Sequence, residues 1–158
     1  MSKTQETALI IGGGAAGMLA SILLAERGYP VHVFEQNEKL GKKLFLTGKG
    51  RCNVTNACED VEGLLKSVVS NPKFLYSAFN QCTNRQIMDF FERLNVPLKI
   101  ERGGRVFPKS DKSSDVIRAL ERRMKQLDVK IHLNSRVEKL LLDNQQEHPH
   151  IQGVLLEN

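Results

Sequence analysis

The chain begins with two short apolar runs separated by one longer amphipathic stretch. Residues 8–11 (ALII) and 31–35 (VHVFE) are mostly apolar, which predicts strands buried in a parallel sheet. Between them, the pattern from Gly14 to Arg27 predicts a helix, and Gly28 follows at the position where a glycine ends many helices. A strand, a helix and a second strand in this order predict a βαβ unit.

After a polar loop predicted over residues 36–57, hydrophobic residues recur at helical spacing in several stretches. A Thr83-x-x-Gln86 pair forms a capping box and predicts the start of one helix. Residues 96–108 predict a hairpin with Gly103–Gly104 as a two-residue turn. The remaining predicted elements are a helix from about Ser113 to Leu127, a strand over residues 130–133, and a pair of strands over residues 136–143 and 151–158. The whole pattern predicts an α/β fold with a parallel sheet.

Composition places the chain among ordinary globular domains. Its 158 residues are enough for one domain with a real core, and 41% of them are hydrophobic. The net charge of +5 and the pI near 9.2 are compatible with a polyanionic partner. However, the charges are spread along the chain without a block of five like charges, so a basic nucleic-acid-binding arm is not expected.

Cysteine usage and hydropathy favour a cytoplasmic protein. No stretch of about 20 apolar residues predicts a membrane span, and the apolar run over residues 8–25 is broken by glycines, unlike a signal peptide. His148 and His150 flank a proline in a polar turn without a third ligand, so we expect no metal site. Three cysteines without a CxxC pair argue against a disulfide scaffold or a zinc site: Cys52, Cys58 and Cys82.

The strongest chemical signal is the glycine pattern between the first strand and the first helix. In the Gly12-x-Gly14-x-x-Gly17 sequence, the first glycine permits a tight turn and the second lets backbone approach a pyrophosphate. The third lets the helix pack closely on the sheet, while the helix N-terminus offers N–H groups and a positive dipole end to phosphate. We expect five residues to line a dinucleotide pyrophosphate: Gly12, Gly14, Ala15, Ala16 and Gly17.

An acidic residue ends the second strand at the position expected for a ribose-binding group. Glu35 lies 18 residues after Gly17 and can accept hydrogen bonds from ribose hydroxyls. A carboxylate here disfavours a 2′-phosphate, so NADP is not expected at this site. Gln36 follows it, and either a contact with adenosine or a surface position fits that residue.

A second unusual stretch is GKKLFLTGKGRCNVTN, over residues 41–56. Its three glycines permit close backbone approach, and four cations within ten residues can offset phosphate charge. About 70 residues separate Glu35 from the last helix–strand unit, which is long for an ordinary connection. An insertion over residues 36–110 favours an FAD domain over a plain NAD domain. The four cations are Lys42, Lys43, Lys49 and Arg51, of which we take Lys43 and Arg51 as candidates for the phosphates or the flavin edge.

Two segments together resemble one family. GKKLFLTGKGRCNVTN and the later GGRVFPKSDKSSDVIRALERRM resemble the BaiN/YhiN-like flavoproteins, also described as NAD(P)/FAD-dependent or aminoacetone-oxidase-family oxidoreductases. The first segment of that family typically follows the pattern GxKxxxSGGGRCNxTN. This chain departs from it with Thr47 in place of serine and Lys49 in place of the middle glycine.

The resemblance implies a Rossmann-like FAD-binding domain of the glutathione-reductase-like class. In this family the domain is completed by later sequence and interrupted by a substrate-side domain. We therefore expect residues 1–158 to be the N-terminal part of such a domain. The resemblance also implies that Val137 presents its backbone to the adenine ring. It places four residues near the flavin end: Gly50, Arg51, Cys52 and Asn53, although Cys52 lacks a partner thiol and is better explained as a packing residue.

The function implied by the resemblance is flavin-dependent redox chemistry on a small molecule. Hydride transfer in either direction fits, and NAD(P)H is a plausible electron donor although no second GxGxxG is present. A plain NAD-dependent dehydrogenase and an inactive fragment that only binds a dinucleotide are the alternatives. A nucleic-acid-binding module is not expected, because no RNA-binding motif is found. Catalytic residues, substrate and oligomeric state are not predicted.

Overall fold

The computed structural model describes residues 6–143 and 150–157 of the chain. The predicted polar turn, residues 144–149, and Asn158 lie outside the described residues. The chain divides into two compact units, which are Met1–Lys43 together with Leu120–Asn158, and Leu44–Ala119.

Eight strands and six α-helices make up the described part of the chain. The strands are β1 (Ala8–Ile11), β2 (Val31–Phe34), β3 (Thr55–Asn56), β4 (Leu98–Glu101), β5 (Arg105–Pro108), β6 (Lys130–His132), β7 (Val137–Asp143) and β8 (His150–Leu156). The helices are α1 (Ala15–Glu26), α2 (Lys42–Leu46), α3 (Val61–Lys66), α4 (Tyr76–Gln81), α5 (Asn84–Arg93) and α6 (Ser113–Gln126). Two short 3₁₀ turns cover Thr47–Gly50 and Pro72–Leu75.

A three-stranded parallel sheet forms the centre of the first unit. Its order is β1-β2-β6, with Ala8 opposite Val31 and His32 opposite Lys130. Helix α1 connects β1 to β2 and buries Met18 completely. The parallel pairing of these three strands around α1 confirms the predicted α/β fold with a parallel sheet.

A separate hairpin also belongs to the first unit. Strands β7 and β8 pair antiparallel, from Val137 opposite Leu156 to Asp143 opposite His150. The register shifts between Leu141 and Leu142, so the ladder is irregular. The predicted pair of strands is thus present.

The second unit is built on a small antiparallel sheet of order β3-β5-β4. Helix α5 carries the predicted capping box, in which the Thr83 hydroxyl accepts from the Gln86 N–H and the Gln86 side chain accepts from the Thr83 N–H. Phe107 and Val106 of β5 are almost fully buried in this unit.

Two local predictions were wrong. The hairpin loop has three residues rather than two, because Glu101 pairs with Arg105 and the Gly104 carbonyl accepts a hydrogen bond of 2.7 Å from the Ala57 N–H. The predicted polar loop over residues 36–57 contains a helix and a strand, α2 and β3. Helix α2 forms because its sequence, KKLFL, is rich in lysine and leucine, which favour helix.

Candidate dinucleotide site

The glycine turn after β1 leaves open space above its backbone. Gly12 has a φ of +99°, a conformation that glycine adopts without strain. A Cβ atom placed on Gly12 or on Gly14 would meet no other atom within 4 Å. The turn can therefore accept a ligand group in direct contact with its main chain.

In the described part of the chain, no side chain caps the N-terminus of α1. Gly14 is the N-cap residue, with extended backbone and no side chain to cap the helix, and the first turn contains no acidic residue. Gly14, Ala15 and Ala16 are all exposed. Because the first N–H groups of a helix have no partner within the helix, this twelve-residue helix offers them and its positive dipole end to an anion.

Gly17 explains how the helix start comes so close to the turn. A Cβ atom on Gly17 would overlap the Gly12 carbonyl oxygen and lie 3.3 Å from Ile10 Cγ2. Only glycine permits this packing, which holds the donor groups of α1 beside the end of β1.

The Glu35 carboxylate is buried beside this turn, with only 7% of the residue exposed. Its Oε2 accepts a 2.7 Å hydrogen bond from the Gly13 N–H. Its Oε1 accepts from the Asn37 N–H at 2.8 Å and from the Asn37 amide at 2.5 Å. The Glu35 backbone is held as well, because its N–H donates to the His132 carbonyl at 2.8 Å.

These contacts keep Glu35 ionised. Burial by itself would raise the pKa of the carboxyl group, since it removes the charge from water. The hydrogen bonds from Asn37 and Gly13 and the nearby charge of Lys42 together outweigh burial, so the pKa lies below its usual range. Glu35 is therefore a hydrogen-bond acceptor at neutral pH.

The segment after Glu35 folds back onto the glycine turn. The Gly41 N–H donates to the Gly13 carbonyl at 2.9 Å, and a Cβ on Gly13 would overlap Leu40 Cδ2. Sequence reasoning missed Gly13, Asn37 and Leu40. The signals present were a fourth glycine inside the fingerprint, at position 13, and an asparagine two residues after the acid, where such residues often bond locally.

A cavity of about 210 Å³ brings several predicted residues together. Gly12, Glu35, Gln36 and Val137 all line it, although Val137 is 101 positions or more from the others in sequence. The full lining consists of Ile11, Gly12, Phe34, Glu35, Gln36, Ser135, Arg136 and Val137. The cavity therefore joins the glycine turn and the acid to the start of β7.

Five further residues were predicted to contact the cofactor. Lys43 is exposed on α2, within the first unit. Gly50, Arg51, Cys52 and Asn53 belong to the second unit.

Arg51 is held by carboxylates of its own unit. Its Nη1 donates to Glu101 Oε1 at 2.9 Å and to Asp111 Oδ1 at 3.3 Å, while Lys99 pairs with the same two carboxylates. The guanidinium also lies 4.1 Å from the centroid of the Phe107 ring. The hydrogen bond from Arg51 is the main reason why the pKa of Glu101 is lowered. Two cations and two anions thus compensate one another here.

The turn that precedes Arg51 has mostly left-handed backbone. Gly48, Lys49 and Gly50 have φ values of 57°, 58° and 85°, and Cys52 has 62°. Cys52 is buried, with 2% exposed, and burial raises the pKa of its thiol, so it is a poor nucleophile. With its amide oriented to satisfy both groups, the Asn53 side chain donates to the carbonyls of Val106 (3.1 Å) and Thr55 (3.0 Å).

No metal site or membrane span is present in the described part of the chain. Residues 6–143 and 150–157 contain no group of three His, Cys, Asp or Glu side chains arranged to hold a metal ion. His148 lies outside these ranges. No helix among them is both long and apolar enough to cross a bilayer.

A match to a family model shows which protein family this chain belongs to. Residues 6–153 match the model described as the HI0933-like protein Rossmann domain. The chain belongs to this family. The resemblance to BaiN/YhiN-like flavoproteins and the Rossmann-like class of FAD-binding fold are confirmed by this match.

Two curated relatives of this HI0933-like chain carry different names. A 3-dehydro-bile acid delta(4,6)-reductase of Clostridium scindens is 38% identical over 135 residues, which cover 84% of this chain and 32% of the relative. A ribosomal RNA dihydrouridine synthase of Escherichia coli is 30% identical over 130 residues, which cover 82% of this chain and 32% of the relative. The chain thus spans about a third of the length of these relatives.

Solved structures agree on the fold of the HI0933-like chain. A 3-ketosteroid-delta4-(5alpha)-dehydrogenase of Rhodococcus jostii RHA1 has a TM-score of 0.70 at 14% identity, covering 99% of this chain and 43% of that one. A flavocytochrome c3 fumarate reductase has a TM-score of 0.69 at 19% identity, covering 98% and 32%. At these identities the similarity concerns the fold alone.

Proposed function

We propose that this chain is the FAD-binding part of a flavoprotein oxidoreductase that acts on a small organic molecule. The observation that carries the proposal is the uncapped N-terminus of α1 beside the ionised Glu35, with one cavity extending from Gly12 to Val137. A dinucleotide needs an anion site next to a ribose acceptor, and this arrangement supplies both.

The residues present fit the cofactor. The open space over Gly12 and Gly14 suits a pyrophosphate in contact with the main chain, and a side chain at either position would fill it. Glu35 would accept from a ribose hydroxyl. Within the first unit, the proposed FAD site consists of nine residues: Gly12, Gly14, Ala15, Ala16, Gly17, Glu35, Gln36, Lys43 and Val137. For the second-unit residues Gly50, Arg51, Cys52 and Asn53, a place near the flavin end stays a prediction from the family resemblance.

A bound flavin supplies the hydride chemistry, and the residues of this chain bind and orient it. We favour reduction as the direction of the reaction, with NAD(P)H as the electron donor. Support for this direction comes from the names of the two relatives, which describe reduction of a bile acid and formation of dihydrouridine. We favour a small molecule over RNA as the substrate because the bile-acid reductase has the higher identity, 38% against 30%. We place the enzyme in the cytoplasm, and we expect this chain alone to show no turnover.

Cofactor retention tests the proposal. The purified chain is incubated with FAD and desalted, its visible spectrum is recorded, and the cofactor is released by heat and identified. We expect FAD to be retained. The test variant is Gly14→Val, whose Cβ would meet no atom of the protein within 4 Å and whose side chain would occupy the space over the turn, so we expect it to retain no FAD. A colourless wild-type chain that is instead protected against thermal unfolding by NAD would favour the dehydrogenase alternative.

A further inference from the structure

A chain of hydrogen bonds connects α2 to the glycine turn through Glu35. The Lys42 ammonium donates to Asn37 Oδ1 at 3.1 Å, and the same amide donates through Nδ2 to Glu35 Oε1 at 2.5 Å. The Asn37 N–H donates to the same oxygen at 2.8 Å, and the Gly13 N–H donates to Oε2 at 2.7 Å. All four residues lie in the first unit.

These contacts occupy most of the acceptor capacity of the carboxylate. An ionised carboxylate has about four acceptor positions. Residues 6–143 and 150–157 use three of these positions, two on Oε1 and one on Oε2, and leave one position on Oε2. Glu35 lines the cavity beside Gly12, whereas Asn37 is not among the lining residues. Asn37 therefore contacts the carboxylate without reaching the space where a ligand would lie.

Lys42 sets the orientation of the Asn37 amide. An ammonium group only donates, so it selects the amide oxygen and leaves the NH₂ group directed at Glu35. In the opposite orientation the amide oxygen would face the carboxylate, and two acceptors would repel each other. Lys42 also lies 3.7 Å from Glu38, which helps to keep it in place.

We propose that Asn37 is a positioning residue for ribose recognition, which fixes the Glu35 carboxylate with its one remaining acceptor position available to a single ribose hydroxyl. Lys42 supports it by holding the amide. This inference rests on the proposed function, since it assumes that the cavity receives the adenosine half of a dinucleotide. It predicts that only one of the two ribose hydroxyls interacts strongly with Glu35.

The test combines a protein change with a ligand change. Affinities for ADP, 2′-deoxy-ADP and 3′-deoxy-ADP are measured by calorimetry for the wild-type chain and for Asn37→Ala. In the wild type, loss of one of the two hydroxyls should weaken binding about tenfold, the size expected for a hydrogen bond to a charged group. In Asn37→Ala, ADP should bind about tenfold more weakly, and the penalty for the missing hydroxyl should fall to about twofold or less.

The ratio between the affinity for ADP and the affinity for each deoxy nucleotide distinguishes a positioning role of Asn37 from a purely structural one. If Asn37 only stabilises the fold, the substitution will weaken all three ligands equally and leave the hydroxyl penalty at its wild-type value, which overturns the inference. Asn37→Ser keeps a short donor and should retain part of the penalty. The matched control is Asn80→Ala, an exposed asparagine of α4 that should change neither the affinities nor their ratio.

The same data distinguish failure of the inference from failure of the proposed function. Wild-type protein that binds FAD and ADP, with a hydroxyl penalty that Asn37→Ala leaves unchanged, contradicts the inference alone. Equal penalties for both deoxy nucleotides in the wild type also contradict it, because two hydroxyls would then share the carboxylate. Wild-type protein that binds neither FAD nor ADP contradicts the proposed function and the inference with it.

Discussion

Substitution of Gly17 by alanine tests the close packing of α1 on the glycine turn. The added Cβ would overlap the Gly12 carbonyl oxygen and lie 3.1 Å from the carbonyl carbon. Since the obstacle is backbone, the start of α1 would have to move by roughly 1 Å, and overpacking of this kind costs about 3 kcal/mol. Alanine gains up to about 1 kcal/mol in helix propensity. We therefore expect a net loss of about 2 kcal/mol in the free energy of unfolding.

Urea unfolding followed by circular dichroism measures this loss, and the melting temperature should fall by about 4–8 °C for a chain of this size. Gly14→Ala is the matched control, because its Cβ meets no atom within 4 Å, and we expect it to lose less than about 1 kcal/mol. A Gly17→Ala protein as stable as Gly14→Ala would refute the packing argument.

Three further predictions concern charge, backbone strain and thiol reactivity. Because the pKa of Glu35 is lowered in the folded chain, its carboxylate stabilises the protein fully above the ordinary glutamate value of about 4.3, and less as pH falls through the lower folded value. The difference in unfolding free energy between wild type and Glu35→Gln should therefore shrink only below about pH 4.3; a constant difference from pH 7 to pH 3 would contradict this. Lys49→Gly should raise the free energy of unfolding by about 1 kcal/mol, because glycine adopts the left-handed backbone of this position without strain. Lys125→Gly, in the last turn of α6, is the control and should lower the free energy of unfolding. Equal effects of the two substitutions in urea titrations would show that no backbone strain is relieved at position 49. A chromogenic disulfide reagent should react at once with exposed Cys82 and should reach buried Cys52 only as the protein unfolds. Mass spectrometry locates the labelled cysteines, and fast labelling of both would contradict the burial of Cys52.

Local patterns predicted the elements that depend on neighbouring residues. The β1-α1-β2 unit and the Thr83–Gln86 capping box were found because each is determined within a few positions of sequence. Helix α2 was missed because five residues are too few to show a helical period. The three-residue hairpin loop was missed because Gly104 is held from outside the hairpin, by a hydrogen bond from the N–H of Ala57, the residue after β3.

In the candidate site, too, features set by neighbouring residues were predicted and features set by distant contacts were not. The fingerprint glycines and Glu35 follow from their spacing in the chain. The contacts of Glu35 with Gly13 and of Arg51 with Glu101 join residues 22 and 50 positions apart, and no periodic pattern signals such a pair. Sequence could therefore identify the acid, while its hydrogen-bond partners required the fold.

The contact between Gly13 and Leu40 has a consequence for how such sequences evolve. In the fingerprint, position 13 is written as a free position, yet here a side chain on it would collide with a buried leucine. A lineage that acquires a larger residue at position 13 must therefore reduce the one at position 40, and the order of these two changes matters because the first alone is damaging. In an alignment of related sequences, positions 13 and 40 are therefore expected to change together, although neither residue belongs to the proposed FAD site.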